Sequence, residues 1–334
     1  MNDKDLETNV VTNLTLNSDE VRRIECLYDI NVNNSTFLGM GSGNTNYCLE
    51  TDIGRCVFSI IEEQNRDDVE IMAKTLVWLE EHNHKTSLLI RPKQQGSYSI
   101  NLRGKYSLLR SYMPGAVCQD LSASMLRQLG AETAKLHSIP LPNFLSDSVF
   151  YEQQKFMDAL DANIDRDYEC WAKGRLRELA VGTFGDLPTS IIHSDLFYDN
   201  MLFDGDQLVG MIDFELTCIY HSVFDIGMAI VGTCSTDGKL SAEKAHHLIA
   251  GYQSTRTLKN SELDVLQRYT EYAAILTSLW RYWRYWRYWR YRIYQPDDDR
   301  ADKFREMVAL ANSIESTNFK TITDALPLTI NSKP

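Results

Sequence analysis

The chain has 334 residues, enough for a large core or for two lobes sharing a cleft. Acidic side chains outnumber basic ones by 46 to 34, giving a formal charge of -12, which sets aside diffuse attraction to nucleic acid or an anionic membrane. An anionic ligand must therefore be held by local positive groups. No run reaches the roughly eighteen uninterrupted apolar residues of a membrane span. The opening MNDKDLETNVVTNLT has neither the basic segment nor the apolar run of a secretory signal, so the expectation is a cytoplasmic protein. The seven cysteines are scattered without a CxxC pair, which points to buried or incidental thiols and not to a disulfide framework or a zinc site.

Residues 36 to 61 (TFLGMGSGNTNYCLETDIGRCVFSII) read as a hairpin turning at Asp52-Ile53-Gly54, entered through a glycine-rich turn. DDVEIMAKTLVWLEEHN (67 to 83) sets Val69, Met72, Leu76 and Leu79 on one helical face, with Asp67 or Asp68 as its cap. Strands return at 97 to 112 around Arg103-Gly104, so residues 20 to 111 predict a small, mainly β lobe covered by one helix. Met113-Pro114-Gly115 breaks the pattern and marks a linker at 112 to 115 between lobes 1 to 111 and 116 to 334. Helices are expected at 121 to 137, at about 151 to 181, and through most of 222 to 317 with a break at Pro296. Between them lie the strand Ile191-Ile192 and a turn and strand over 204 to 213 that ends on a carboxylate.

The stretch IIHSDLFYDNMLFDGDQLVGMIDFELTC, from Ile191 to Cys218, alternates apolar strand fragments with polar clusters. His193, Asp195, Asn200 and Asp213 thereby converge at strand and loop ends. An amide and a carboxylate suit Mg²⁺, which takes oxygen ligands and is completed by substrate phosphates. A second carboxylate is left to orient an attacking hydroxyl and accept its proton, and that is the division of labour phosphoryl transfer needs. Any one of these residues alone reads as a turn former. An HxD with Asn five residues after the Asp, followed by an apolar strand into IDF, does not.

HSDLFYDN with MIDF resembles the catalytic and metal-binding loops of the aminoglycoside phosphotransferase and choline kinase group, which has the protein-kinase fold. The longer run LPTSIIHSDLFYDNMLFDGDQLVGMIDFELTC is similar to homoserine kinases of that group. GSGNTNY (41 to 47), GRCVFSI (54 to 60), YMPG (112 to 115), LGAETAKLH (129 to 137) and FDIGMAI (224 to 230) recur in the same order, so the resemblance covers about 30 to 315. It implies an α+β, protein-kinase-like two-lobe fold with a small mainly β N-terminal lobe and a large mainly helical C-terminal lobe. The implied activity is transfer of the ATP γ-phosphoryl group, with Mg²⁺, to the side-chain hydroxyl of L-homoserine for threonine synthesis. The partner is then a small molecule, with neither nucleic acid nor membrane involved. By the same resemblance Asp195 is the catalytic aspartate, Asn200 and Asp213 are metal ligands, and His193 braces the loop. Asp199 bonds within the loop or approaches the substrate, and Asp225 is a buried loop-holding carboxylate. Gly41, Gly43 and Asn44 lie over the nucleotide phosphates, and Ser59, Tyr112 and Met113 line the nucleotide site.

One departure stands out. Ser59 occupies the position where kinases carry a third-strand lysine that reaches the α and β phosphates, and no lysine lies between Lys4 and Lys74. The homoserine kinase branch is similar in having a small hydroxyl residue there. Arg55 shares a face with Ser59 but sits beside a hairpin turn, and Glu70, the candidate partner of the missing lysine, reads as part of a solvated helix face. The departure also keeps open a nucleotide-binding scaffold without turnover. Other hydroxyl acceptors, among them choline, ethanolamine, an aminoglycoside or a sugar, remain alternatives to homoserine.

Residues 281 to 293, RYWRYWRYWRYRI, repeat every three positions, whereas a helix advances about 100° per residue. The arginines and aromatics therefore spiral round the helix, which is a poor nucleic-acid stacking surface. A cation cage from Trp280, Trp283 and Tyr288 is one reading. Another is core packing with snorkelling arginines, and a third has Arg281 meeting the acceptor's carboxylate.

Overall fold

The computed structural model describes residues 15–40, 44–93, 96–180, 186–290 and 303–323. The chain divides between Pro114 and Gly115 into two compact units, one strand-rich and one largely helical, in a protein-kinase-like two-lobe α+β fold.

The first unit opens with helix α1 (Ser18–Tyr28), which the sequence pattern did not reveal. Asn17 caps it by accepting from the Asp19 and Glu20 amides, and Glu20 returns the bond to the Asn17 amide. Strands β1 (Val32–Met40), β2 (Asn44–Thr51), β3 (Gly54–Ile61), β4 (Leu89–Ile90) and β6 (Lys105–Ser111) form an antiparallel sheet in the order β1-β2-β3-β6-β4. The short strands β4 and β5 (Ile100–Leu102) both pair with β6. The expected hairpin is therefore β2-β3, with β1 added outside it. Arg103 and Gly104, both at positive φ (55° and 76°), make the β5-β6 turn as expected. Helix α2 (Arg66–Glu81) buries Val69, Met72, Leu76 and Leu79. Its cap is Asn65, which accepts from the Asp67 and Asp68 amides, so the two aspartates sit in the first turn, where they favour the helix dipole. One sheet face, with Tyr47, Leu49, Phe58, Ile60 and Leu109, packs on Ile24 and Tyr28 of α1.

The second unit begins with α3 (Ala123–Leu136), followed by the short helix α4 (Gln154–Asp158) and α5 (Arg166–Leu179). Then come β7 (Thr189–Ile192), the hairpin β8 (Met201–Asp204) and β9 (Gln207–Met211), and β10 (Cys218–His221), which pairs with β7. Helix α6 (Ser222–Thr233) is buried throughout. A two-stranded ribbon, β11 (Ser235–Thr236) and β12 (Lys239–Leu240), leads to α7 (Ala242–Gln253). The long α8 (Asn260–Arg290), α9 (Lys303–Ser316) and α10 (Lys320–Thr323) complete it. The expected break at Pro296 lies outside the described residues.

Helices α3 and α7 touch at their backbones. A Cβ on Gly130 would fall 2.0 Å from the Leu248 carbonyl oxygen, and one on Gly251 equally close to that of Arg127. Among the described residues, no helix is long and apolar enough to cross a membrane.

The repeat helix is used on several sides at once. Tyr282 is fully buried, donates to Glu169 Oε1 (2.6 Å), accepts from the Asp165 amide (3.2 Å), and packs between Tyr168 and Phe304. Trp283 meets Phe156 edge-on. The guanidinium of Arg284 lies over Trp280, and the ammonium of Lys155 over Trp283, so both indoles carry the chain's own cations. The side chain of Tyr288, third member of the expected cage, lies outside the described residues.

Candidate active site

The segment between β7 and β8 is held by a carboxylate from beneath. Asp225 on α6, with no solvent exposure, accepts from the His193 amide (Oδ2, 2.9 Å) and the Ser194 amide (Oδ1, 2.8 Å). His137, at the end of α3, approaches the same Oδ2 through Nε2 at 3.1 Å. Ser194 takes a left-handed conformation (φ 70°), and Asp213, beyond β9, another (φ 69°). Non-glycine residues hold such a backbone only where their surroundings dictate it.

His193 ties these two strained points together. Its Nε2 lies 2.9 Å from the Ile212 carbonyl oxygen, which fixes the ring proton there and leaves Nδ1 to accept from the Asp195 amide at 3.3 Å. The Ile212 amide in turn donates to the Asn200 carbonyl oxygen at 2.9 Å. Asn200, in a short 3₁₀ turn (Tyr198–Asn200), donates through Nδ2 to the Asp195 carbonyl oxygen (2.8 Å) and to Asp195 Oδ2 (3.1 Å). With both amide donations directed at Asp195, the side-chain oxygen Oδ1 is what Asn200 can offer a cation. Asp195 Oδ1 accepts from the Tyr151 hydroxyl at 2.7 Å.

Burial pushes the Asp195 carboxyl above its ordinary range. The Tyr151 hydrogen bond and His193 pull it back, while the Asp213 and Asp199 charges push it further up. Burial likewise holds Tyr151 protonated, well above the usual phenol range, with the Asp195 charge acting in the same direction. Asp199 is exposed at the rim of this carboxylate group. Arg281 comes from the repeat helix: its guanidinium stands 5.9 Å from the Phe197 ring, donates to the Lys303 carbonyl oxygen (3.0 Å) and pairs with Glu306 (3.6 Å). Burial lowers its pKa, and the Glu306, Asp199 and Asp195 carboxylates oppose that.

The structure therefore brings His193, Asp195, Asn200 and Asp213 together, with Asp199 and Arg281 beside them. Among the described residues no group of three or more His, Cys, Asp and Glu side chains forms a metal cage. One carboxylate and one amide oxygen instead fit Mg²⁺, which keeps water and takes phosphate oxygens. In the first unit Ser59 is fully buried and donates to Asn46 Oδ1 at 2.6 Å. Asn44 opens β2, and the Tyr112 amide donates to the Arg55 carbonyl oxygen at 3.0 Å, with the Arg55 guanidinium over the Tyr112 ring. Met113 follows at the end of that unit. Gly41 and Gly43 lie outside the described residues. Glu70 accepts from Ser97 and Ser99 hydroxyls and from the Tyr98 and Ser99 amides, so it anchors a loop and is not merely solvated.

The model of the Phosphotransferase enzyme family matches residues 35–258. The chain belongs to this family. It is an ATP-dependent small-molecule kinase of the aminoglycoside phosphotransferase and choline kinase-like superfamily. A homoserine kinase from Caulobacter sp. (strain K31) is 28% identical over 283 residues, covering 78% of this chain and 85% of that one. A homoserine kinase from Agrobacterium fabrum is 26% identical over 286 residues, covering 81% and 86%. Among solved structures, an amicoumacin kinase in complex with AMP-PNP and Ca²⁺ has a TM-score of 0.71 at 15% identity, over 96% of this chain and 100% of that one. A spectinomycin phosphotransferase with ADP and spectinomycin has a TM-score of 0.68 at 14% identity, over 90% and 99%. These structural likenesses show the fold.

Tyr151 and Gly232 escaped the sequence reading. Tyr151 sits in a 3₁₀ turn (Phe150–Glu152) with no motif around it. Gly232 of α6 looks like any helix glycine, yet a Cβ there would meet the Leu196 carbonyl oxygen at 2.4 Å and the Phe197 Cα at 2.6 Å. The segment between β7 and β8 thus lies directly on the α6 backbone. Gly232→Ala is expected to lower kcat by about 10- to 100-fold, because displacing positioned groups by an ångström is costly. Gly130→Ala, more crowded still but against α7, should reduce thermal stability while leaving kcat within about twofold of wild type, since its strain falls on helix packing. Steady-state rates and melting curves of the two variants check this, and equal kcat in both would remove the special role of Gly232.

Proposed function

We propose that this kinase phosphorylates the hydroxyl of a small amino alcohol, with L-homoserine as the first reading. The observation that carries the proposal is Asp195, with one carboxylate oxygen held by Tyr151 and the other by Asn200, on a loop that His193 ties to Ile212 beside Asp213. Asp195 accepts the acceptor's hydroxyl proton and orients its oxygen for attack. Asn200 Oδ1 and Asp213 are the donors for Mg²⁺, which when bound offsets charge on the nucleotide phosphates. Asp195, Asp199 and Asp213 together make surroundings that favour an acceptor carrying an ammonium group.

Homoserine is supported by the curated relatives, homoserine kinases aligned over about four fifths of the chain. Arg281 is the group proposed to receive its carboxylate, since a guanidinium matches a carboxylate bidentately. A second reading, an amino alcohol without a carboxylate, is favoured by the Arg281 guanidinium already being engaged by the Lys303 carbonyl and Glu306. It also accords with the fold shared with a Plasmodium vivax ethanolamine kinase and an aminopropanol kinase.

The test is ATP consumption by the purified protein with Mg²⁺ and L-homoserine, ethanolamine, choline, an aminoglycoside or no acceptor. Homoserine is expected to give the largest kcat/KM, and chelation with EDTA to abolish turnover. A preference for ethanolamine would establish the second reading. No acceptor-dependent turnover with any of them would sink both readings and return the nucleotide-binding scaffold.

A further inference from the structure

We propose that Arg110 makes the contact with the nucleotide's phosphate chain that protein kinases assign to a third-strand lysine, reaching it from β6 and held in place by Ser59 and Asn46. The inference rests on the kinase reading above and names the cation that reading lacks.

Strand pairing supplies the position. Asn46 of β2 pairs with Ser59 of β3, Ser59 with Leu108 of β6, and Val57 with Arg110. Paired residues and alternate residues on a strand share a face. Asn46, Ser59 and Arg110 therefore project from the same side of three adjacent strands, opposite the face that packs on α1. The side chains connect: Arg110 Nη2 donates to Ser59 Oγ at 2.7 Å, and Ser59 Oγ donates to Asn46 Oδ1 at 2.6 Å. The hydroxyl at the lysine position is thus an orienting group for an arginine on the neighbouring strand. A lysine side chain there would occupy the space this arginine uses.

Charge accounting points the same way. Among the described residues no carboxylate pairs with Arg110, and its Nε is buried without a hydrogen-bond partner. A partly buried guanidinium with unspent donors is costly unless an anion completes it. Glu70, the helix carboxylate expected to partner a lysine here, is committed to Ser97, Tyr98 and Ser99. Arg55 shares the strand face but is exposed and lies over Tyr112, 4.2 Å from the ring centroid. Among the described residues Arg110 is the cation on this face that holds a buried, unpartnered donor, and its planar fork matches two oxygens of a phosphate chain.

The experiment is competitive displacement of a fluorescent ATP analogue from the full chain by ATP and by adenosine, with Mg²⁺, for wild type, Arg110→Gln and Arg110→Lys. Gln keeps a donor for Ser59 and removes the charge; Lys keeps the charge. Arg110→Gln is expected to weaken ATP about 10- to 100-fold, the range for a charge-assisted contact, and to change adenosine less than about twofold. Arg110→Lys should recover part of the loss, binding ATP more tightly than Arg110→Gln but less tightly than wild type, because the charge stays and the planar fork is lost. The proposal is overturned if Arg110→Gln binds ATP as wild type does, or loses ATP and adenosine in equal proportion. If Arg110→Gln does not fold, Arg110→Lys decides: loss of both ligands together overturns the proposal, and retained ATP binding upholds it. Wild type that binds no ATP would overturn the kinase reading itself, a result distinct from failure of Arg110 alone.

Discussion

Asp195→Asn is expected to lower kcat by about 10²- to 10⁴-fold, the range for loss of a positioned general base, with little change in unfolding midpoint or ATP affinity. The two oxygens of Asp195 are bound separately, Oδ1 by the Tyr151 hydroxyl and Oδ2 by Asn200 Nδ2. An asparagine retains the shape and can accept one of those bonds, and the Tyr151 hydroxyl can turn to accept from the new amide. The fold therefore has little reason to fail, and removing a buried charge raised in pKa by desolvation relieves strain. What the amide cannot do is take a proton from an attacking hydroxyl. The loss should appear in kcat more than in KM, because the interaction belongs to the transition state. A variant with near wild-type kcat on the acceptor that wild type prefers would remove Asp195 from the chemistry.

How much of this site the sequence discloses follows from where its parts lie in the chain. His193, Asp195, Asn200 and Asp213 fall within one β7-to-β10 unit, so their spacing alone places them at neighbouring strand ends. Asp225 is on the next helix, and its bonds to the His193 and Ser194 amides agree with the loop-holding part expected from the family resemblance. Tyr151 reaches Asp195 across 44 residues from a 3₁₀ turn, and no local pattern encodes that meeting. Arg110 is hidden for a related reason: only the register of β6 against β3 sets it beside Ser59.

In the fold, the strands were legible because turn residues punctuate them, as Arg103-Gly104 does. Helix α1 was not, because only Ile24 and Tyr28 of its eleven residues are buried. The three-residue repeat defeated periodicity arguments because α8 has packing partners on more than one side. Tyr282 faces α5 and α9 while Trp283 meets Phe156 of α4, so a spiral of aromatics still finds a core.

Removing the Asp225 carboxylate should strongly destabilise the helical unit. Asp225→Ala is expected to destabilise the protein by about 3–5 kcal/mol, the range for breaking a buried charged or hydrogen-bonded pair by deleting one member. It strands two buried amides, those of His193 and Ser194, each costing about 1–3 kcal/mol when left without an acceptor. His137 loses its Nε2 partner as well, and the effect spreads outward. The other nitrogen of His137 meets the Tyr252 hydroxyl at 2.8 Å, which also accepts from Arg256, which pairs with the fully buried Glu262. Asp225→Asn should rescue little. Whichever way the amide turns, its NH₂ confronts an N–H donor, because one oxygen serves Ser194 and the other serves His193 and His137. Chemical denaturation of the unliganded protein checks the size of the effect. An alanine variant within about 0.5 kcal/mol of wild type, the usual range for a surface change, would mean the loop is held by its own turn and not by α6. If the loss is as large as expected, activity measured below the unfolding transition should still fall, because Ser194 keeps its left-handed backbone only while both amides are held.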